Sequence, residues 1–309
     1  MKLDWKFFNH LLSQPMAPYR EHLVRQTLVE YLQSHGVAHC LDPIGNIVVG
    51  VDSQQAYEAR IRTPDAGAIL FFVAHMDHPG FHGLKWKRPN LLSAKWFGGG
   101  PTQKLVGATV WVSDDHGCVS GGKIQSAKLS KTKTRIESLE IQLKGLESDR
   151  PETLFGGLGF KKPIWKVGKK FFTKAADDLV GAFMITQLAR KYQGSPRFLG
   201  LLTRAEEVGF VGAIGHMELN WWTKAARPWL GVSLETSRTL PGALIGAGPV
   251  VRQGDRTSLF DPAAVQWLWE LANQTLKLKQ KRVMDGGSCE ATVMTAWGWR
   301  ALGLSLIHI

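Results

Sequence analysis

Three apolar runs of strand length dominate the chain: residues 68–74 (AILFFVA), 198–202 (FLGLL) and 229–234 (WLGVSL). Runs without polar alternation fit strands covered on both faces, as in a parallel sheet packed between helices. Helical patterns fall between them. Leu179, Val180, Phe183, Met184, Leu188 and Ala189 share one face of residues 179–192, and residues 210–217 open a further helix. Strand and helix in alternation predict an α/β sheet. Nearer the start, Leu11, Leu12, Leu23, Val24, Leu28, Tyr31 and Leu32 give residues 3–35 a helical spacing. Pro15 and Pro18 divide that stretch into two helices, and Gly36 ends the second.

Each apolar run is followed by residues that carry chemistry. His75 and Asp77 follow the first, Glu206 and Glu207 come just after the second, and Glu235 directly follows the third. Open α/β sheets bind ligands beyond the carboxyl ends of their strands. Three strands therefore deliver acids or an imidazole to one edge, and Asp177 and Asp178 open a helix that can face it. Taken singly, these residues have ordinary readings. A histidine after a strand packs as structure, Asp177 and Asp178 cap a helix, Glu206 and Glu207 form a solvated turn, and Glu235 pairs with a base such as Arg238. Taken together they call for a cation, because carboxylates gathered at one site repel each other unless one neutralises them. One imidazole among several carboxylates suits zinc, cobalt or manganese.

Residues 81–172 have a different texture. They are rich in glycine, in short β-like runs such as Thr109-Val110-Trp111-Val112 and in turn signals such as Asp115-His116-Gly117, with little helical periodicity. They read as a β-rich domain inserted into an α/β domain made of residues 1–80 and 173–309. The net charge of +12 comes from lysines and arginines spread along the chain, densest over 161–174. No basic helix or binding motif accompanies them, so a solvated face is expected and no nucleic-acid partner. Three cysteines without a CxxC pair point to a reducing, cytoplasmic setting. The opening MKLDWKFFNHLL lacks the apolar core of a signal peptide, and no run of about 18 apolar residues occurs, so no membrane association is expected. Nucleophilic catalysis finds no support, since there is no Gly-x-Ser-x-Gly and no cysteine has an evident histidine partner.

At these residues the chain resembles the M42 family of metallo-aminopeptidases, over nearly its whole length. Ala205-Glu206-Glu207-Val208-Gly209-Phe210-Val211-Gly212-Ala213 is the most specific match. Asp42-Pro43-Ile44-Gly45-Asn46-Ile47, Ala74-His75-Met76-Asp77-His78-Pro79-Gly80, Lys174-Ala175-Ala176-Asp177-Asp178, Ile245-Gly246-Ala247-Gly248-Pro249 and Asp285-Gly286-Gly287-Ser288 also have counterparts. The resemblance implies a mixed open sheet with flanking helices, of the zinc-peptidase type, plus a barrel-like oligomerisation domain at 81–172, hence a homo-oligomer. It implies two divalent metals, zinc first, and peptides cut from the N-terminus. It also assigns roles. His75 binds one metal, Asp177 bridges two and is joined to Asp178 by a cis peptide, Glu207 binds the second, Glu206 is the general base, and Asp77 orients His75. Glu235 stands where the family usually has Asp. The family's last ligand, a histidine after a C-terminal strand, has its expected place beyond Ile309, and His308 is the nearest candidate. A related deacylase or carboxypeptidase would use the same centre, and an assembly protein with an incomplete centre would keep the fold.

Overall fold

The computed structural model describes residues 3–64, 67–145, 148–160, 162–223, 225–277 and 280–308, with the side chains of Ile307 and His308 outside that description. Two helices come first, α1 (Trp5–Ser13) and α2 (His22–Ser34). Asp4 starts α1 by accepting the Phe7 N–H, and the helix buries Phe7, Phe8, Leu11 and Leu12. A small hairpin, β1 (His39–Leu41) and β2 (Ile47–Val49), leads through α3 (Gln54–Arg62) to β3 (Ile69–His75).

The next six strands are β4 (Gly80–Arg88), β5 (Leu91–Phe97), β6 (Thr109–Ser113), β7 (Val119–Leu129), β8 (Ile136–Lys144) and β9 (Phe155–Leu158). They close into a barrel in the order β4-β5-β8-β7-β6-β9, every pairing antiparallel. Phe81, Leu92, Val112, Ile141 and Leu154 fill its interior. Closure leaves no open strand edge. The barrel ends at Leu158, short of residue 172. The hairpin that follows, β10 (Ile164–Val167) and β11 (Lys170–Thr173), pairs only with itself. Trp165 stacks on Phe172 within it, and Phe171 meets Phe8 of α1 edge-on, with ring centres 5.5 Å apart. The basic stretch is thus the exposed side of a hairpin carrying Lys166, Lys169 and Lys170, while Lys161 lies outside the described residues.

The chain then returns to the first sheet through α4 (Ala176–Lys191), β12 (Phe198–Thr203), α5 (Val211–Glu218), β13 (Trp229–Arg238), β14 (Val250–Asp255), α6 (Pro262–Leu276), β15 (Lys281–Met284), α7 (Glu290–Ala296) and β16 (Ala301–His308). The strand order is β1-β2-β12-β3-β13-β16-β14-β15. The centre is parallel: β3 lies between β12 and β13, and β13 pairs with β16. β2 and β14 run antiparallel to their central neighbours, which makes the sheet mixed. All six residues of β12 are buried, as its unbroken apolar sequence requires. α4 covers β3 and β13, and Phe183 on α4 packs against Phe8, with ring centres 4.7 Å apart. An α/β sheet with flanking helices and an added barrel is the expected fold class. α3, α6 and α7 were not singled out from sequence, although Asp261 and Pro262 at the start of α6 are a cap and a first-turn proline. Among the described residues, no helix is long and apolar enough to cross a membrane.

Candidate metal centre

Strand register gathers the site. His75 ends β3 opposite Thr203 of β12, and Val73 of β3 is opposite Ser233 of β13. Two residues further along each strand bring His75 and Glu235 side by side on the same face, since strand side chains repeat every second residue. Both are buried at the carboxyl edge of the sheet.

The His75 ring is held from one side and presented to the other. Its Nδ1 lies 3.1 Å from the Asp77 main-chain oxygen and 3.4 Å from Asp77 Oδ1, so an Nδ1–H donates there. Nε2 then faces three carboxylates: Asp177 Oδ1 at 3.3 Å, Glu206 Oε2 at 3.8 Å and Glu235 Oε1 at 3.9 Å. An imidazole tied down at one nitrogen, with its other nitrogen among carboxylates, is the arrangement of a metal ligand.

Asp177 and Asp178 are joined by a cis peptide and keep non-helical backbone angles at the head of α4. Asp178 Oδ1 accepts the Gly181 N–H at 3.1 Å and so caps the helix, while the Asp177 carbonyl oxygen receives His78 Nδ1 at 2.6 Å. Asp178 Oδ2 is buried without a hydrogen-bond partner, and Asp177 Oδ1, equally buried, faces His75 Nε2 at 3.3 Å. Buried carboxylate oxygens are costly when unpaired. One ligand atom each from His75, Glu206 and Glu235 lie within 4.8 Å of one another, and the same holds for Asp177, Asp178 and Glu235. The unpartnered Asp178 oxygen, a donor set of one imidazole and several carboxylates, and this convergence fit a divalent cation.

The electrostatics agree. Burial first, and neighbouring acids second, push Asp178, Glu206 and Glu235 well above the ordinary carboxylate range, and Glu207 up to about 8. Burial alone would discharge His75, but the Glu206 charge and the bonds to Asp177, Asp77 and Glu235 hold its pKa well above the usual histidine value. Burial would also raise Asp177, yet the bond and charge of His75 keep it low. A proton on His75 thus does part of the work of a cation. Arg252, nearly inaccessible on β14, lies 3.9 Å from Glu235 Oε2 and donates to Ser305 Oγ. It takes the place of Arg238 as the basic neighbour of Glu235.

Glu206 and Glu207 sit on a short turn after β12, with Ala205 in the left-handed region at φ +50°. Four successive amides of this turn are received by side chains from elsewhere. Asn46 Oδ1 accepts Arg204 N–H (3.1 Å) and Glu21 Oε1 accepts Ala205 N–H (2.9 Å). Asp77 accepts Glu206 N–H at Oδ1 (2.9 Å) and Glu207 N–H at Oδ2 (3.2 Å). Asp77 therefore orients His75 and holds the turn as well. The Asp42–Asn46 motif serves the same turn. Asp42 Oδ1 accepts the Ile44 and Asn46 amides, its Oδ2 accepts Asn46 Nδ2 and faces His216 Nδ1 at 2.9 Å, and Gly45 supplies φ +93°. Gly212 is required beside it, because a Cβ there would stand 2.4 Å from Asn46 Oδ1.

Of the expected site residues, His75, Asp177, Glu206 and Glu235 converge, and Asp77 lies directly behind His75. Glu207 belongs to neither group of converging acids. Its carboxylate is stabilised by a Gly99 backbone hydrogen bond from the barrel, and its Cβ is 3.2 Å from where a Gly98 Cβ would lie. His308 closes β16, and its side chain lies outside the described residues. Sequence reading placed Asp178 at the site's edge without a ligand role, and did not find Glu21, Arg252 or Glu290. Glu290 is fully buried beneath the site, where it accepts Thr203 Oγ1 at 2.5 Å, and burial raises its pKa. Glu21, Arg252 and Glu290 neither directly follow one of the three apolar runs, the signal that found His75, Glu206 and Glu235, nor open the helix that drew attention to Asp177.

The family model described as M42 glutamyl aminopeptidase matches residues 59–306. No curated protein sequence matches significantly. Among solved structures, the chain resembles the TET1 peptidase of Pyrococcus horikoshii, which assembles into a tetrahedron or a large octahedral shell (TM-score 0.76, 19% identity, covering 98% of this chain and 90% of that one). It also resembles a TET aminopeptidase from a marine-sediment Thaumarchaeota archaeon (0.77, 19%, 99% and 89%). A third is an aminopeptidase of Desulfurococcus kamchatkensis (0.76, 18%, 98% and 88%). At these identities the likeness is one of fold.

Proposed function

The chain belongs to the M42 glutamyl aminopeptidase family, and from that premise we propose that it is a metal-dependent aminopeptidase removing residues from the N-terminus of peptides. The observation that carries this reading is the convergence of His75, Asp177, Asp178, Glu206 and Glu235 at one buried site, where the Asp178 Oδ2 atom has no partner.

His75, Asp177 and Glu235 would hold one divalent ion, zinc by donor chemistry with cobalt or manganese as alternatives. Asp177 would share itself with a second ion for which Glu207 is the further ligand. Such ions supply Lewis acidity at the scissile carbonyl and a lowered pKa for water. The chain's own residues do the rest. Glu206 removes a proton from the attacking water and returns it to the departing amine. Asp77 keeps His75 in one tautomer and fixes the main chain on which Glu206 sits. The surplus of carboxylates provides partners for the substrate's free ammonium group, which accounts for attack at the N-terminus. The barrel would join copies into a homo-oligomer, in line with the assemblies described for the TET1 peptidase. Three free cysteines, Cys40, Cys118 and Cys289, accord with a cytoplasmic setting.

The test pairs metal analysis with a panel of free-amine, N-acylated and C-terminally blocked peptides. Bound metal, together with cleavage confined to peptides with a free amine, is the expected result. Equal cleavage of N-acylated peptides would identify a deacylase or another peptidase on the same centre. A chain without bound metal or turnover would be an assembly protein, the reading favoured by the position of Glu207 outside the converging acids. Light scattering checks the oligomer, and a monomeric intact chain would end that part of the proposal.

A further inference from the structure

Residues 18–22, the end of the α1–α2 connection and the first residue of α2, touch both the barrel and the Glu206–Glu207 turn. On the barrel side, His82 Nε2 of β4 bonds the Pro18 carbonyl oxygen at 2.8 Å. Arg20 Nη1 donates to Asp115 Oδ1 at 2.7 Å and its Nη2 to the Glu152 carbonyl oxygen at 2.8 Å. His22 Nε2 bonds the Asp115 carbonyl oxygen at 2.8 Å, and the Tyr19 ring meets Phe97 edge-on. On the turn side, the Arg204 guanidinium stands over the Tyr19 ring, 5.8 Å from its centre. Buried Glu21 accepts Tyr19 N–H (2.8 Å) and Ala205 N–H (2.9 Å) through one oxygen, and its other oxygen lies 3.6 Å from Arg204 Nη2.

The geometry points to Glu21 as a positioning residue: it fixes the turn that carries Glu206 and Glu207, and through Arg20 it ties that turn to the barrel. Three facts argue for this. Ala205 has a left-handed backbone that ordinary side chains avoid, so the turn depends on outside acceptors to hold it. Asn46 and Asp77, the other two acceptors, immediately precede β2 and follow β3, whereas Glu21 lies in a segment held to the barrel by the side-chain hydrogen bonds of Arg20, His22 and His82. Finally, a shift of about 1 Å at a catalytic carboxylate costs on the order of a hundredfold in rate, so a clamp of this kind has a measurable consequence. The catalytic roles of Glu206 and Glu207 rest on the function proposed above, but the clamp itself does not.

Hydrogen exchange of the full chain tests the clamp without any assay of turnover. In Glu21→Ala, amide exchange across residues 204–207 should rise about tenfold, the loss expected for one buried acceptor. Glu21→Gln, which keeps an acceptor oxygen, should restore protection. Arg20→Ala leaves the acceptor in place and cuts the barrel tie, so it should raise exchange at 204–207 by a smaller factor while α4 and β12 stay protected. It also serves as the test should Glu21→Ala not fold. Zinc titration of the metal-free variants provides a second readout, with weaker binding in Glu21→Ala than in Glu21→Gln. Unchanged exchange at 204–207 in both Glu21→Ala and Arg20→Ala would overturn the inference, as would equal acceleration in the Ala and Gln variants. If the unmodified chain turns over no peptide, the proposed function fails while the exchange result still decides the clamp.

Discussion

The two halves of the centre are built differently. His75 ends β3 and Glu235 lies within its parallel neighbour β13, which runs on to Arg238, and register alone places them together. Glu206 and Glu207 lie beyond the end of β12 on a turn whose amides are satisfied by Asn46, Glu21 and Asp77. The first half is held by a sheet with a buried core, the second by three borrowed side chains. A sheet resists change as a unit, whereas a clamped turn can be loosened at single residues. Damage to the first half should therefore appear chiefly as lost metal, and damage to the second as lost turnover with a smaller loss of metal.

The largest expected effect lies in the sheet half. His75→Ala removes the imidazole on which Asp177, Glu206 and Glu235 converge, and should reduce metal affinity beyond the ~10–100-fold typical of losing an outer partner. Mass-spectrometric metal counting checks this, and a variant that keeps its metal would place the ligand set elsewhere. Next comes Glu206→Gln, for which turnover should fall about a hundredfold or more with metal content unchanged. Metal loss here would show that Glu206 is a ligand, exchanging its role with Glu207, an outcome its closeness to His75 Nε2 keeps testable. Asp77→Asn touches both halves, since Asp77 bonds His75 and two turn amides. It should weaken metal binding by about 10–100-fold and also raise exchange at residues 206 and 207. A loss of metal without added exchange would sever the link drawn here between the two halves.

The same division explains what could be read from sequence. Residues following apolar runs were legible because strand ends in a parallel sheet share one edge, and that logic found His75, Glu206 and Glu235 without coordinates. The barrel was legible as a change of texture, though not its boundary. Nothing in the composition separates strand β9 from the β10–β11 hairpin, whose partner is α1. Glu21 and Glu290 were not legible. Each lies in a helix-flanking or helical segment where a glutamate is ordinary, and its importance comes from contacts with residues 184 and 87 positions away. Arg252 reads as one more strand residue until β14 is seen beside β16, with the guanidinium turned towards Glu235.

The smallest effect expected is a dependence of stability on pH, and it bears on both halves at once. In the folded chain without metal, the Glu21 pKa is raised from 4.5 to about 7 and that of Glu207 from 4.5 to about 8, in each case chiefly by burial. Glu206, Glu235 and Asp178 move in the same direction. A carboxyl with a raised folded pKa binds more protons folded than unfolded, so its contribution is fully present below the unfolded value and is lost as pH rises through the folded one. His75, also raised, has the same sign. Asp177 has the opposite sign, but its loss comes on acidification below the ordinary Asp range, outside this window; His78, His82 and Lys174, lowered chiefly by burial, oppose the trend within it but are outnumbered by the raised acids. The metal-free chain should therefore melt at progressively lower temperature between pH 5 and about 8, from just above the ordinary glutamate value of 4.5 up to the folded values of about 7 for Glu21 and about 8 for Glu207. Divalent metal should reverse the slope, because ligands bind it in their deprotonated form and its hold strengthens with pH. Thermal melts of chelator-treated and zinc-loaded protein across this range make the comparison. A metal-free melting temperature that rises from pH 5 to 8 would mean that the acids are not crowded and desolvated as found here. An unchanged slope on adding zinc would mean that the converging carboxylates are not its ligands.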